Sequence, residues 1–292
     1  MSNIKQFFDR EDVKGKFKDM LGKRAPAFIT SVLQIATSSY LFDDVDPVSI
    51  YNSAAIAATL DLPLNNNLGF AWIVPYNGKA QFQIGWKGFV QLAQRTSQYK
   101  RINVAEVYAN QFKSWNALTE ELNADFTVEG SGDVVGYCAY FKMANGFEKL
   151  SFWSKEKVIK HAKKYSKTYQ KKNNKGQLML SPWNDEFQFD EMCKKTVLKN
   201  TLSKWGLLSV EMQTAIKVDQ AVIDNPETEE VTYADATATE IKAVEFNHEE
   251  LRIIDAVNSC KTKEELLPLK KQAEKFTGAN EAFIQKLNSF NK

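Results

Sequence analysis

The dipeptide Asn77-Gly78 stands between two short apolar runs, FAWIVPY and KAQFQIG. A two-residue loop of this composition readily takes the positive φ angles of a tight turn, whose twist matches that of two antiparallel strands. Residues 70–85 are therefore predicted to form a β-hairpin. Pro75 lacks a backbone N–H, so its strand is expected to have a free edge there. GWKGFVQLAQRTSQY follows with Phe89, Val90, Leu92 and Ala93 on one helical face, and RINVAEVYANQF then reads as a strand. DFTVEG, VVGYCAYFKMANG and FEKLSFW extend the strands, with Asn145-Gly146 as a second hairpin turn. Strands joined by tight turns, with helices before and after them, predict an α+β fold with an antiparallel sheet.

The first 60 residues read as helices. Phe17, Met20 and Leu21 form one apolar stripe, APAFITSVLQIA a second, and Asp46-Pro47 supplies an N-cap and a first-turn proline for VSIYNSAAIAATL. After Trp153 the chain returns to helix, with a long one predicted over 183–204 and another over 209–222 beyond Gly206. Residues 1–220 are expected to form the main domain. The acidic, turn-rich stretch 221–245 reads as a flexible linker, and 246–292 as a small helical domain.

The chain has 292 residues and only three cysteines, Cys138, Cys193 and Cys260, none in a C-x-x-C pair. Reduced thiols and no structural zinc are expected. No apolar run approaches the roughly 18 residues of a membrane span, and the N-terminus is charged, so a cytoplasmic location without membrane insertion is expected. The net charge of +2 conceals a segregation. From 155 to 204 there are 13 lysines against five acids, and from 219 to 250 ten acids against Lys242. A basic working surface followed by an acidic spacer is the simplest reading.

The densest basic stretch is KVIKHAKKYSKTYQKKNNKG, residues 157–176, with eight lysines and no acid. Wound at about 100° per residue, it places Lys157, Lys160, Lys163, Lys164, Lys167 and Lys171 on one face and Val158, Ala162, Tyr165 and Tyr169 on the other. His161 falls between the faces and is expected to be exposed. Ser154 is the predicted N-cap. A solvated face is the ordinary explanation of such a helix, but like charges at i,i+3 and i,i+4 repel by a few tenths of a kcal/mol per pair, about what a bound polyanion would relieve. From Lys157 to Lys171 the helix would span roughly 21 Å at about 1.5 Å per residue, long enough to face about six phosphates of one strand. Lys172 and Lys175 are expected in a loop.

Lys87, Arg95, Lys100 and Arg101 lie beside Trp86 and Tyr99, and Tyr165 lies within the lysine helix. Cations interleaved with stacking platforms suit single-stranded nucleic acid, although surface charge over core aromatics explains them equally well. Lys194, Lys195, Lys199 and Lys204 follow Asp190 and Glu191 in one helix, where Asp190–Lys194 and Glu191–Lys195 pairs would account for them without a ligand. The first three complete the set of candidate DNA-binding cations.

No G-x-x-x-x-G-K-[ST] occurs, which excludes P-loop nucleotide hydrolysis, and GSGDVVG misses the dinucleotide fingerprint. Two histidines, His161 and His248, leave little material for a triad or a zinc hydrolase. One catalytic alternative remains: Asp185, Glu186, Asp190 and Glu191 as the carboxylates of a metal-dependent nuclease. A non-catalytic protein–protein scaffold is the other. On the residues alone, no cofactor, metal site or catalytic residue is assigned.

LGFAWIVPYNGKAQFQIGWKGFVQLAQRTSQYKRINVAEVY resembles the central signature of the RecT family of phage-type single-strand annealing recombinases, a hairpin of form a-x-l-I-P-Y leading to f-Q-x-G-y-K-G and a helix. SPWNDEFQFDEMCKKTVLKNTLSKW resembles its second signature, Ser-Pro-Trp, an acidic segment and a Met-x-x-Lys helix. The similarity covers roughly 25–210. It departs at Asn110-Gln111-Phe112, where the family often carries an acid before the phenylalanine. The resemblance implies an ATP-independent protein that binds single-stranded DNA, assembles into rings or helical filaments, and anneals a complementary strand. It also implies an exonuclease or host single-strand binding protein as partner, for which the basic C-terminal helices, with Lys261, Lys263, Lys270, Lys271 and Lys275, are the expected contact.

Overall fold

The computed structural model describes residues 3–233 apart from 167, 174, 175 and 180, together with parts of 253–290. The described chain is mixed α+β with antiparallel sheets, as the turn dipeptides predict. Four helices come first: α1 (Asn3–Phe8), α2 (Glu11–Leu21), α3 (Ala25–Thr37) and α4 (Pro47–Thr59). Asp46 caps α4 by accepting from Val48 N at 3.0 Å, with Pro47 in the first turn. Phe8, Phe17, Val32 and Ile50 from these helices are buried together, each with 0% exposure. Met20, assigned to the apolar stripe of α2, is instead 39% exposed.

Strands β1 (Ala71–Tyr76) and β2 (Lys79–Ile84) form the predicted hairpin, with Asn77 at φ 49° and Gly78 at φ 74°. β1 lies at the edge of its sheet, so Pro75 deprives no neighbour of a donor. The next segment, α5 (Trp86–Arg95), starts where backbone approaches backbone. A Cβ on Gly85 would stand 2.3 Å from Gly69 O, and one on Gly88 would stand 2.3 Å from Phe70 O. That clearance is the physical content of the G-W-K-G run, since only glycine lets the start of α5 close onto residues 69 and 70, just before β1.

β3 (Tyr99–Tyr108), β6 (Val134–Met143) and β7 (Glu148–Ser154) make a second sheet in the order β3-β6-β7, its last hairpin turning at Asn145-Gly146. Between β3 and β6 lies a hairpin that periodicity does not reveal, β4 (Phe112–Asn116) and β5 (Glu121–Ala124), whereas DFTVEG, expected as a strand, is a turn. Asp125 caps that turn by accepting from Thr127 N and Thr127 Oγ1, an alternative to ladder pairing that short polar side chains favour.

α6 (Lys155–Tyr165) follows β7 directly, and Ser154 accepts from Lys157 N as predicted. The helix ends six residues before Lys171. Ser166 turns extended and its hydroxyl accepts from Thr168 N and Tyr169 N, while Asn184 accepts from Gln170 N and donates to Thr168 O and Met179 O. These bonds hold the chain in a loop, and the decisive partner comes from the later SPWN segment. Residues 182–184 form one 3-10 turn, and α7 (Phe189–Trp205) begins later than the 183 expected. α8 (Val210–Val218) is capped by Ser209.

Residues 221–232, expected as linker, instead form β8 (Ala221–Asn225) and β9 (Glu230–Thr232), giving a first sheet in the order β1-β2-β8-β9. Acidity of the wider stretch conceals the apolar trio Ala221, Val222 and Ile223, which is buried. The side chain of Asn52 in α4 donates to Ile223 O and Asp224 O, tying β8 to the N-terminal helices. The chain divides into two compact units, Met1–Ala236 and Thr237–Lys292. In the second, Ile253, Val257, Cys260, Leu266, Ala273 and Phe283 are buried together, and Thr262 and Glu265 form a capping box. The remainder of the expected linker, 234–245, lies outside the described residues.

Candidate nucleic-acid interface

Between α6, α7, the SPWN segment and the β1-β2 hairpin lies a cleft of about 360 Å³. Its floor is built on one carboxylate. Asp219, at the end of α8, has a side chain with 0% exposure and accepts from Lys195 Nζ at 2.8 Å, Lys199 Nζ at 2.7 Å and Ile84 N at 2.9 Å. Lys195 and Lys199 are one turn apart on α7, so both ammonium groups reach the same anion. Burial alone would raise the Asp219 carboxyl and does pull the Lys195 ammonium down. With two cations against it, Asp219 is held below the usual carboxylate range. Two cations and one anion leave a surplus positive charge at the floor.

His161, Ala162 and Tyr165 of α6 form one wall. His161, expected to be exposed, is instead half-buried, because its ring packs 4.6 Å from Tyr165 and 5.6 Å from Trp153. Burial first, then Lys199 and Lys164, push its pKa below the ordinary value, so the imidazole is neutral near pH 7. Tyr165 is exposed at the rim. Two buried polar atoms of the lining, Gln81 Nε2 and His161 Nδ1, have no hydrogen-bond partner among the described residues.

The lysine face of α6 turns away from this cleft. Lys157, Lys160, Lys163 and Lys164 are exposed and absent from its lining, while Lys171 is exposed in the loop beyond the helix and Lys167 lies outside the described residues. Lys157 sits 4.4 Å over the Trp153 ring, and burial and Lys204 lower its pKa. Lys172 pairs with Leu178 in a small bridge within the predicted loop, and Lys175 lies outside the described residues.

The remaining candidates are dispersed. Lys194 pairs with Glu106 at 3.1 Å and Glu191 at 2.5 Å, not with the Asp190 expected, because Asp190 accepts from Tyr137 at 2.5 Å. Likewise Lys195 pairs with Asp219 and not Glu191, since its side chain points into the core at 6% exposure. Trp86 donates to Glu191 at 2.6 Å beneath Lys87 and Lys194. Tyr99 is half-buried, its ring against Phe141 and its hydroxyl donating to Leu207 O. Arg95 donates to Leu60 O and Asp61 O, satisfying carbonyls at the end of α4. Lys100 and Arg101 are exposed on β3.

Three of the four carboxylates of the nuclease alternative have other partners. Asp185 caps Phe187 N and Gln188 N, Asp190 and Glu191 are engaged as above, and no group of three or more His, Cys, Asp or Glu residues fit to hold a metal occurs among the described residues. Sequence reasoning misses Asp219, which reads as spacer acid, and Gln81, hidden in a strand. An acid directly after the amphipathic helix VEMQTAIKV and just before the apolar AVI is the signal that could have found the first.

The model of the RecT family matches residues 26–233. This chain belongs to the RecT family. It is also 46% identical over 229 residues to the uncharacterized protein YqaK of Bacillus subtilis (strain 168), covering 78% of this chain and 74% of that one. RecT membership carries DNA binding, single-strand annealing in recombination and self-association. No helix among the described residues is long and apolar enough to cross a membrane.

Proposed function

We propose that this RecT-family chain anneals complementary DNA strands without ATP or metal, holding one strand by its phosphates along the cleft and the lysines flanking it. The observation that carries this reading is the cleft itself: a floor with surplus positive charge and an exposed aromatic at the rim. Sequence-independent pairing needs phosphate contacts that leave base edges free, and the cations here offer charge with little base-specific geometry. Oligomers, as rings or helical filaments, would align successive clefts along the strand. Lys263, Lys270, Lys271 and Lys275 of the second unit offer a basic contact for an exonuclease or for the acidic tail of a host single-strand binding protein.

The test is annealing of two complementary oligonucleotides with a chelator present and no nucleotide. Accelerated pairing with intact DNA is expected. Strand cleavage that stops on chelation would overturn the reading in favour of a nuclease, and binding without acceleration would favour a scaffold.

A further inference from the structure

We infer that the floor of the cleft is a seat for one phosphodiester group, formed by Lys199 and Gln81 and positioned by Asp219; this rests on the strand-binding reading above. An ammonium group has three donors. Lys199 commits one to Asp219 Oδ2 at 2.7 Å, and its side chain keeps 26% exposure, so it faces both the buried anion and the cleft. Lys195, at 6%, is committed to Asp219 Oδ1 and supplies charge from beneath. Gln81 is 2% exposed, lines the same cleft, and its Nε2 finds no acceptor among the described residues.

A buried amide donor without an acceptor costs about 1–3 kcal/mol, and an anion in the cleft would supply that acceptor. The charge count selects the anion. One surplus positive charge matches the single charge of an internal phosphodiester, whereas a terminal phosphate or free inorganic phosphate carries nearly two at neutral pH. Asp219 is thus a positioning residue. It holds both lysines in place and reduces their net charge so that one phosphate is gripped and can still be released.

The experiment measures binding of a fluorescent oligodeoxythymidine to the full chain across a salt series. For K199Q, the dissociation constant is expected to rise about tenfold, as for loss of a charge-assisted hydrogen bond. The slope of log K against log salt is expected to shrink by about 0.7, the value for one phosphate on a single strand. Lys199→Arg should restore the slope. Q81L should weaken binding several-fold with the slope unchanged, since a neutral donor releases no counterion. Oligonucleotides with and without a 5′-phosphate should bind alike, and inorganic phosphate should compete poorly. An unchanged affinity and slope in K199Q overturns the seat, and dependence on the 5′-phosphate overturns its assignment to internal phosphodiesters. If K199Q fails to fold, Q81L decides: several-fold weaker binding at an unchanged slope supports the seat, and unchanged affinity overturns it. Annealing by the unaltered chain is measured in parallel: its absence refutes the strand-binding reading, whereas normal annealing with an indifferent K199Q refutes only the seat.

Discussion

Asp219 concentrates the electrostatics of the first unit in one side chain. It joins α7 to β2 through Lys195, Lys199 and Ile84 N, and it is wholly enclosed. Asp219→Ala leaves two clustered ammonium groups without their anion, and a loss of about 3–5 kcal/mol is expected, the usual cost of breaking a buried pair. Replacing Lys195 and Asp219 together by Met and Leu should recover much of that loss, which urea midpoints of the two variants would report. The pH dependence follows from the directions of the shifts. Asp219 is depressed in the folded state, so its contribution is complete above the unfolded value of about 3.9 and disappears as pH falls through the lower folded value. His161 is also depressed, so its neutral form favours folding above about pH 6.5, and this is lost as the pH drops through the folded value. Acid titration of the urea midpoint is expected to show a shallow decline starting near about pH 6.5 and a steeper one below about pH 4. His161→Phe should remove only the first.

At the scale of elements, α6 combines a cap legible in the sequence with an end that is not. Ser154→Ala is expected to cost about 1 kcal/mol by orphaning the N–H of Lys157. The outward lysines of the same helix are a separate question from its stability. Lys160, Lys163 and Lys164 make no ion pair among the described residues. If a strand leaving the cleft crosses that face, replacing Lys160 and Lys164 by Gln should flatten the salt slope by up to about 0.7 for each phosphate that the variant no longer neutralises. An unchanged slope would return these lysines to a solvated surface. Gly88 belongs to the same scale. A methyl group there meets Phe70 O and Ile84 Cγ2, so Gly88→Ala should destabilise by more than the gain that Ala ordinarily brings to a helix, about 1 kcal/mol. A melting temperature below that of the unaltered chain would confirm the steric account.

At the scale of the molecule, the first unit has its own core and contains the entire cleft, while the second unit carries a separate small apolar cluster. A chain ending at residue 236 is therefore expected to unfold cooperatively and to keep annealing oligonucleotides, while losing any binding that depends on the second unit's lysines. Loss of annealing by a folded, truncated chain would assign those lysines to the strand and not to a partner protein.

Turn chemistry and periodicity are local, which is why both Asn-Gly hairpins, the caps at Asp46 and Ser154, the course of α5 and the α+β class can be read from neighbours in the chain. The RecT signatures are legible for a related reason, since their glycines and Ser-Pro-Trp mark points where backbone must approach backbone or turn sharply. Tertiary contact decided the rest. The stop of α6 depends on Asn184, the enclosure of His161 on Trp153, and the inclusion of 221–232 on an open edge of β2. No helical wheel could show that the lysine face of α6 looks outward from the cleft, or that two of the thirteen lysines between 155 and 204 converge on an acid at least twenty residues beyond them. Sequence lists charges, but which of them share a low-dielectric site depends on distances that exist only once the chain is folded.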